Sequence, residues 1–151
     1  MAARYQEVHK PKLGFVGLGG LAGRLAMQLL DAGYPVAGYS RTRFKTDQLV
    51  QAGLMLAESP RAATEAAEIV FTMVSDPQTL RKVTGGADGI LQGLGPGKVH
   101  VEMSPVGPRA TVEITAEVAL TGAQMLDALV ADAVASSEQR VAAAAAGWRS
   151  P

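Results

Sequence analysis

Short apolar runs alternate with amphipathic segments along most of the chain, and glycine or proline marks many of the changes between them. Residues 13–16 are an apolar run that stops at Gly17. From 20 to 31, Leu21, Leu25 and Leu29 recur every four positions with Ala22, Ala26 and Leu30 beside them, which predicts one apolar helical face. Gly33 stands where a helix-ending glycine belongs, and a second apolar run covers 36–39. A more polar helix is predicted over 44–51, a short strand over 54–57, and a helix over 60–67 opened by Ser59-Pro60. Residues 69–74 form a β-branched run of the buried parallel-strand type. Beyond it come a short helix from Pro77 toward Val83, a helical turn near 88–92, a strand over 99–103, a helix over 108–120 and a strand over 124–130.

Strands alternating with helix-length crossovers predict an α/β fold, a Rossmann-type doubly wound, mostly parallel sheet with helices on both faces. Three segments are expected: a polar lead-in over 1–12, a Rossmann-type domain over 13–130, and an atypical tail over 131–151 that fits the alternation poorly.

The most informative stretch is the first strand–turn–helix–strand unit. Gly17, Gly19 and Ala22 fill a G-x-G-x-x-[G/A] pattern, with Leu18, Gly20 and Leu21 in the same turn. The first glycine suits a tight turn, the second lets backbone approach a pyrophosphate, and a small third residue lets the helix pack on the strand. The pattern alone is weak, because any sharp strand-to-helix turn favours glycine. Its position between a buried-type strand and an amphipathic helix strengthens it. Ser40, Arg41 and Thr42 end the second strand, about 22 residues past Gly19, where a ribose-reading acid is often found. A guanidinium and a hydroxyl there suit a 2′-phosphate, with Arg43 and Lys45 adding charge nearby. The same residues would also make an ordinary solvated basic loop, and their spacing leaves both readings open.

Composition narrows the function classes. The 151 residues are 48% hydrophobic, enough for one core. The 14 basic and 14 acidic residues cancel, so no global field favours nucleic acid or a membrane surface. There is no cysteine, hence no disulfide framework or thiolate zinc site. Neither a signal-peptide core nor a membrane-length apolar stretch occurs, and a cytoplasmic domain is expected. His9 and His100 lack metal-ligand neighbours, no G-x-S-x-G elbow is present, and Asp127 reads as a solvated strand-end acid.

The ordered series of motifs over residues 12–130 resembles the β-hydroxyacid dehydrogenase family. That family includes 3-hydroxyisobutyrate dehydrogenase, glyoxylate/succinic semialdehyde reductase and, more distantly, 6-phosphogluconate dehydrogenase and the imine reductases. Ser40-Arg41-Thr42 falls at the family's Asn-Arg-Thr, Thr72-Met73-Val74-Ser75-Asp76 at its Thr-Met-Leu-Pro-Asp, and Glu102-Met103-Ser104-Pro105 at its Asp-x-Ser-Thr. Leu126-Asp127-Ala128-Leu129-Val130 falls at Leu-Asp-Ala-Pro-Val.

The resemblance implies that Gly17–Ala22 hold a pyrophosphate, that Arg41 and Thr42 read an NADP 2′-phosphate, and that Val74 and Ser75 line the cofactor cleft. It implies Pro105 beside the nicotinamide and Ser104 as a substrate contact. NADP(H) is the expected cofactor, ahead of NAD(H). The expected function is that of a cofactor domain. In complete relatives the domain serves hydride transfer between NADP(H) and a small hydroxy acid or semialdehyde.

Several departures accompany this likeness. Pro105 replaces a threonine, and Ala131-Asp132-Ala133 replace Ser-Gly-Gly. The family's helical second domain, with its general-acid lysine, has no counterpart: Lys10, Lys12, Lys45, Lys82 and Lys98 all precede its place. No catalytic residue is therefore assigned, and the chain alone is expected to be inactive. Uncovered apolar surface near 108–130 would favour self-association. The alternative class is a non-catalytic dinucleotide-binding module that senses or scaffolds. A methyltransferase is disfavoured, because Arg41 has the wrong sign for ribose hydroxyls.

Overall fold

Two of the crossovers turn one way from β1 and the rest turn the other way, and this reversal organises the molecule. A computed structural model describes residues 9–128. Its elements, in order, are β1 (Leu13–Val16), α1 (Gly20–Asp31), β2 (Val36–Tyr39), α2 (Asp47–Gln51), β3 (Met55–Leu56), α3 (Pro60–Glu65), β4 (Ile69–Thr72), α4 (Pro77–Thr84), α5 (Ile90–Gly93), β5 (Val99–Glu102), α6 (Pro108–Leu120) and β6 (Gln124–Asp127). The six strands form one sheet in the order β3-β2-β1-β4-β5-β6, and every pairing is parallel. This is the Rossmann-type doubly wound α/β sheet expected from the alternation of runs.

All four residues of β1 are buried, as a central strand covered on both faces requires. One core gathers Leu13, Phe15, Ala22, Ala26, Val36 and Leu49, so α1 and α2 cover one face. The other gathers Val16, Ala63, Val70, Leu80, Ile90 and Ile114, so α3 to α6 cover the opposite face. Phe15 and Phe71 stack across the β1–β4 pair at 4.9 Å between ring centroids.

Several boundaries differ from those the sequence pattern suggests. The helix expected over 44–51 is split: Arg43–Thr46 is a 3-10 turn, and regular α-helix begins at Asp47. The Thr46 hydroxyl donates to the Arg43 carbonyl at 2.6 Å, which favours the tighter turn. The edge strand β3 has only two residues, and Met55 on it is exposed. Strand β4 ends at Thr72, two residues before its apolar run does, because the chain there turns away to form the rim of a cleft. Strand β6 ends at Asp127, and the expected strand residues 129 and 130, with the 131–151 tail, lie outside the described residues.

Candidate functional site

At the C-terminal edge of a doubly wound sheet, the two strands whose crossovers diverge leave a crevice between them. Here those strands are β1 and β4, and a cleft of about 510 Å³ opens there. Its floor is the turn from β1 into α1. Gly17 has φ +93°, a conformation that side-chain-bearing residues rarely adopt. Its N–H donates to the Tyr39 carbonyl at 2.9 Å, tying the turn to β2.

Gly19 precedes α1 with extended backbone, and a Cβ built on Gly19 or Gly20 would meet nothing within 4 Å. Packing alone requires neither glycine, but Gly20 has φ +50°, which favours glycine on backbone grounds, whereas Gly19 has an ordinary φ of −82°; both line the cleft. No side chain caps the start of α1 and no acid occupies its first turn. The contrast with α3 and α4 is direct. The Ser59 hydroxyl accepts from the Ala62 N–H at 3.0 Å, and an Asp76 carboxylate oxygen accepts from the Thr79 N–H at 2.8 Å. That bond, with one from the Thr79 hydroxyl, pulls the Asp76 pKa below its usual value. The Ala22 N–H donates to the Gly19 carbonyl at 3.1 Å. The start of α1, with the positive end of the helix dipole, is otherwise left without a side-chain acceptor, an arrangement suited to an anion.

Ala22, third in the glycine pattern, is fully buried and packs in the core rather than lining the cleft. The close approach within α1 belongs to Gly23, where a Cβ would lie 2.8 Å from the Leu18 carbonyl oxygen. Sequence reasoning did not single out Gly23. A glycine inside an otherwise good helix, at a cost of about 1 kcal/mol, is the signal that could have found it.

Ser40, Arg41 and Thr42 line the cleft at the end of β2, and Lys45 joins them. The Ser40 hydroxyl accepts from the Thr42 N–H at 3.2 Å and so shapes the loop. Arg43 points elsewhere, its guanidinium paired with Glu58 at 2.5 Å. The opposite wall contains Met73, Val74, Ser75 and Pro105, with Thr79 and Val83 contributed by α4. Thr79 and Val83 went unassigned from sequence, although the Asp76-Pro77 helix start aims α4 at this wall.

Ser104 does not line the cleft. It is 2% exposed, and its hydroxyl oxygen accepts from the Val74 N–H at 3.0 Å. Beneath it lies a buried polar group on β4 and β5. His100 Nε2 is 2.8 Å from the Thr72 hydroxyl and 3.8 Å from Glu102 Oε2. Burial pushes the His100 pKa down to about 4 and pushes the Glu102 carboxyl up, so both groups are driven toward neutrality. Asp127 adds to the rise at Glu102, while hydrogen bonds from the Ser104 hydroxyl and amide oppose it. Among the described residues, no cluster of three metal-ligating side chains occurs, and no helix is long and apolar enough to cross a membrane.

Similarity to known proteins agrees with this geometry. A family model described as the NAD binding domain of 6-phosphogluconate dehydrogenase matches residues 12–147. An uncharacterised oxidoreductase of Bacillus subtilis, YfjR, is 36% identical over 133 residues, which are 86% of this chain and 46% of that protein. The cytokine-like nuclear factor N-PAC of Danio rerio is 35% identical over 140 residues, 92% of this chain and 30% of its own length. The chain therefore spans less than half the length of these relatives. Among solved structures, Psf3 in complex with NADP+ and 2-OPP superposes with a TM-score of 0.72 at 28% identity, over 76% of this chain and 41% of that one. With a doubly wound sheet, a glycine turn at its switch point and a family match over nearly its whole length, the chain belongs to the β-hydroxyacid dehydrogenase and 6-phosphogluconate dehydrogenase family, through its NAD-binding domain.

Proposed function

We propose that this chain binds NADP(H) in the β1–β4 cleft and is the cofactor half of an oxidoreductase. The observation that carries the reading is the pairing of two features across one cleft. The uncapped, acid-free start of α1 suits a pyrophosphate, and Arg41, Thr42 and Lys45 suit the 2′-phosphate of a ribose lying over β2. The NADP+ in the Psf3 structure and the NAD+ in an imine reductase variant of Myxococcus stipitatus support a dinucleotide in this cleft. Leu18 and the other turn residues at Gly17, Gly19, Gly20 and Leu21 contribute backbone, and Val74, Ser75 and Pro105 form the far wall. In a complete relative, a hydride would pass between the nicotinamide and a small hydroxy acid or semialdehyde. No general acid is assigned among the cleft residues, and the 151 residues assayed by themselves are expected to show no turnover.

Calorimetric titration with NADPH and NADH in parallel tests the reading. NADPH should bind at least tenfold more tightly, and NADH binding equal to or tighter than NADPH would refute the phosphate assignment. Consumption of NADPH with hydroxyisobutyrate, glyoxylate or succinic semialdehyde above background would refute the inactivity.

The similarity to a nuclear factor favours a second reading, a dinucleotide-binding module without chemistry. Hydride transfer on adding a helical partner domain in trans would decide for the enzyme. Val112 and Leu120 on α6 and Leu126 on β6 are largely exposed, which supports self-association through this face. A concentration-independent monomer by light scattering would refute it. We place the chain in the cytoplasm, and cell fractionation tests that.

A further inference from the structure

Three polar groups of Ser104 are engaged within the protein, and each bond leads to the cleft wall or away from it. Its N–H donates to Glu102 Oε1 at 2.7 Å, its carbonyl accepts from the Val106 N–H at 2.9 Å, and its hydroxyl oxygen accepts from the Val74 N–H at 3.0 Å. Ser104 thus joins the loop after β4 to the loop after β5, and these loops carry the wall residues Met73, Val74, Ser75 and Pro105. The Met103 N–H adds a further bond to the Thr72 carbonyl at 2.9 Å.

The anchor of this arrangement is expensive. Glu102 is 1% exposed, and among the described residues its Oε2 has no hydrogen-bond partner. An apolar side chain at this position of β5 would serve the core without that desolvation cost. What the carboxyl adds is a fixed acceptor for the Ser104 amide, two residues farther along the chain. Sheet pairing does not explain it, because β4 and β5 are already in register from Ile69↔Val99 to Thr72↔Glu102.

We propose that Glu102 and Ser104 are positioning residues for the dinucleotide: Glu102 orients Ser104, and Ser104 holds the Val74 backbone so that the 73–75 wall keeps the spacing a bound dinucleotide needs. This rests on the dinucleotide reading of the cleft and extends it to two residues that do not line it. Because the device acts on the wall and not on the ribose, its loss affects both dinucleotides by the same factor.

The test compares the full chain with S104A, E102Q, E102L and V118A. Val118 is buried near the end of α6, about ten residues and hence roughly 15 Å of helix from the α6 start near the cleft, and controls for general loss of stability. NADPH and NADH affinities are measured by calorimetry, and exchange of the Val74 amide by NMR, under conditions where every variant is folded. S104A should weaken both dinucleotides about tenfold, leave their ratio unchanged, and speed Val74 exchange at least tenfold. E102Q retains an oxygen acceptor and should stay within threefold of wild type. E102L removes the acceptor and should weaken both dinucleotides as S104A does; wild-type affinity in folded E102L overturns the role of Glu102. V118A should leave affinity and Val74 exchange unchanged at comparable thermal destabilisation. Unchanged affinity in S104A, or an equal loss in V118A, overturns the proposal. If the wild-type chain binds neither dinucleotide, the cofactor reading fails; unaltered Val74 exchange in S104A would then overturn the positioning role separately.

Discussion

A Cβ built on Gly17 would lie 2.1 Å from the Met73 carbonyl oxygen, so the turn after β1 and the loop after β4 touch backbone to backbone. Both residues line the cleft. Gly19, which also lines the cleft, has no such neighbour.

Replacement at the two positions should therefore have different consequences. Gly17→Ala combines a clash with a positive φ and should cost about 2–3 kcal/mol of stability, read from urea unfolding. Gly19→Ala meets open space at an ordinary φ and should leave the unfolding midpoint almost unchanged while reducing NADPH affinity at least tenfold. Wild-type affinity in Gly19→Ala would place the diphosphate somewhere else.

Arg41→Ala removes a guanidinium from the cleft without disturbing the Arg43–Glu58 pair. Loss of a charge-assisted phosphate contact of about 1.5–3 kcal/mol should weaken NADPH binding roughly 10- to 100-fold. NADH binding should change less than threefold. Parallel weakening of both ligands would assign Arg41 to the pyrophosphate or to the loop, not to the 2′-phosphate.

The buried histidine gives stability a pH dependence. His100 titrates near 4 in the folded chain against 6.5 for a free side chain, so the unfolded chain binds the extra proton between those values. Its contribution is fully present above pH 6.5 and is lost as pH falls through 4, by about 3 kcal/mol as an upper bound. Glu102 has the opposite sign: its raised pKa favours the folded chain at low pH, and that advantage fades as pH rises through the folded value. Denaturant midpoints from pH 7 to 4 should fall less steeply in His100→Asn than in wild type. An identical slope would mean that His100 takes up its proton without opposing the fold.

Lys98 occupies the other end of the sheet. Its ammonium donates to the carbonyls of Thr64, Glu65 and Ala67 at 2.8, 3.2 and 2.8 Å, capping the end of α3. Lys98→Met keeps the stem and removes the donors, and should destabilise by about 1–2 kcal/mol without altering dinucleotide affinity. A change in affinity would show that the two sheet edges communicate.

Much of the architecture was legible in local pattern. The bounds of β1, α1, β2 and α6 match the apolar periodicity and the turn residues, because each element is specified by neighbours within one or two turns of chain. The glycine turn and the basic end of β2 were legible for the same reason. The 3-10 turn at 43–46 was not, since a single hydroxyl-to-carbonyl bond tipped a segment whose helical pattern was already weak.

Sequence alone thus determined the alternation of strands and helices, the family, and which loops gather at the C-terminal edge of the sheet. The tertiary structure decided how side chains within those loops are used. It turned Ser104 inward to Val74 across thirty positions of sequence, tied Arg43 to Glu58 while Arg41 stayed in the cleft, and assigned the close backbone approach to Gly23 while Ala22 went to the core. Hydrophobic period and turn chemistry are written in adjacent residues. The partner of a buried polar group is chosen only when distant strands come within hydrogen-bonding distance.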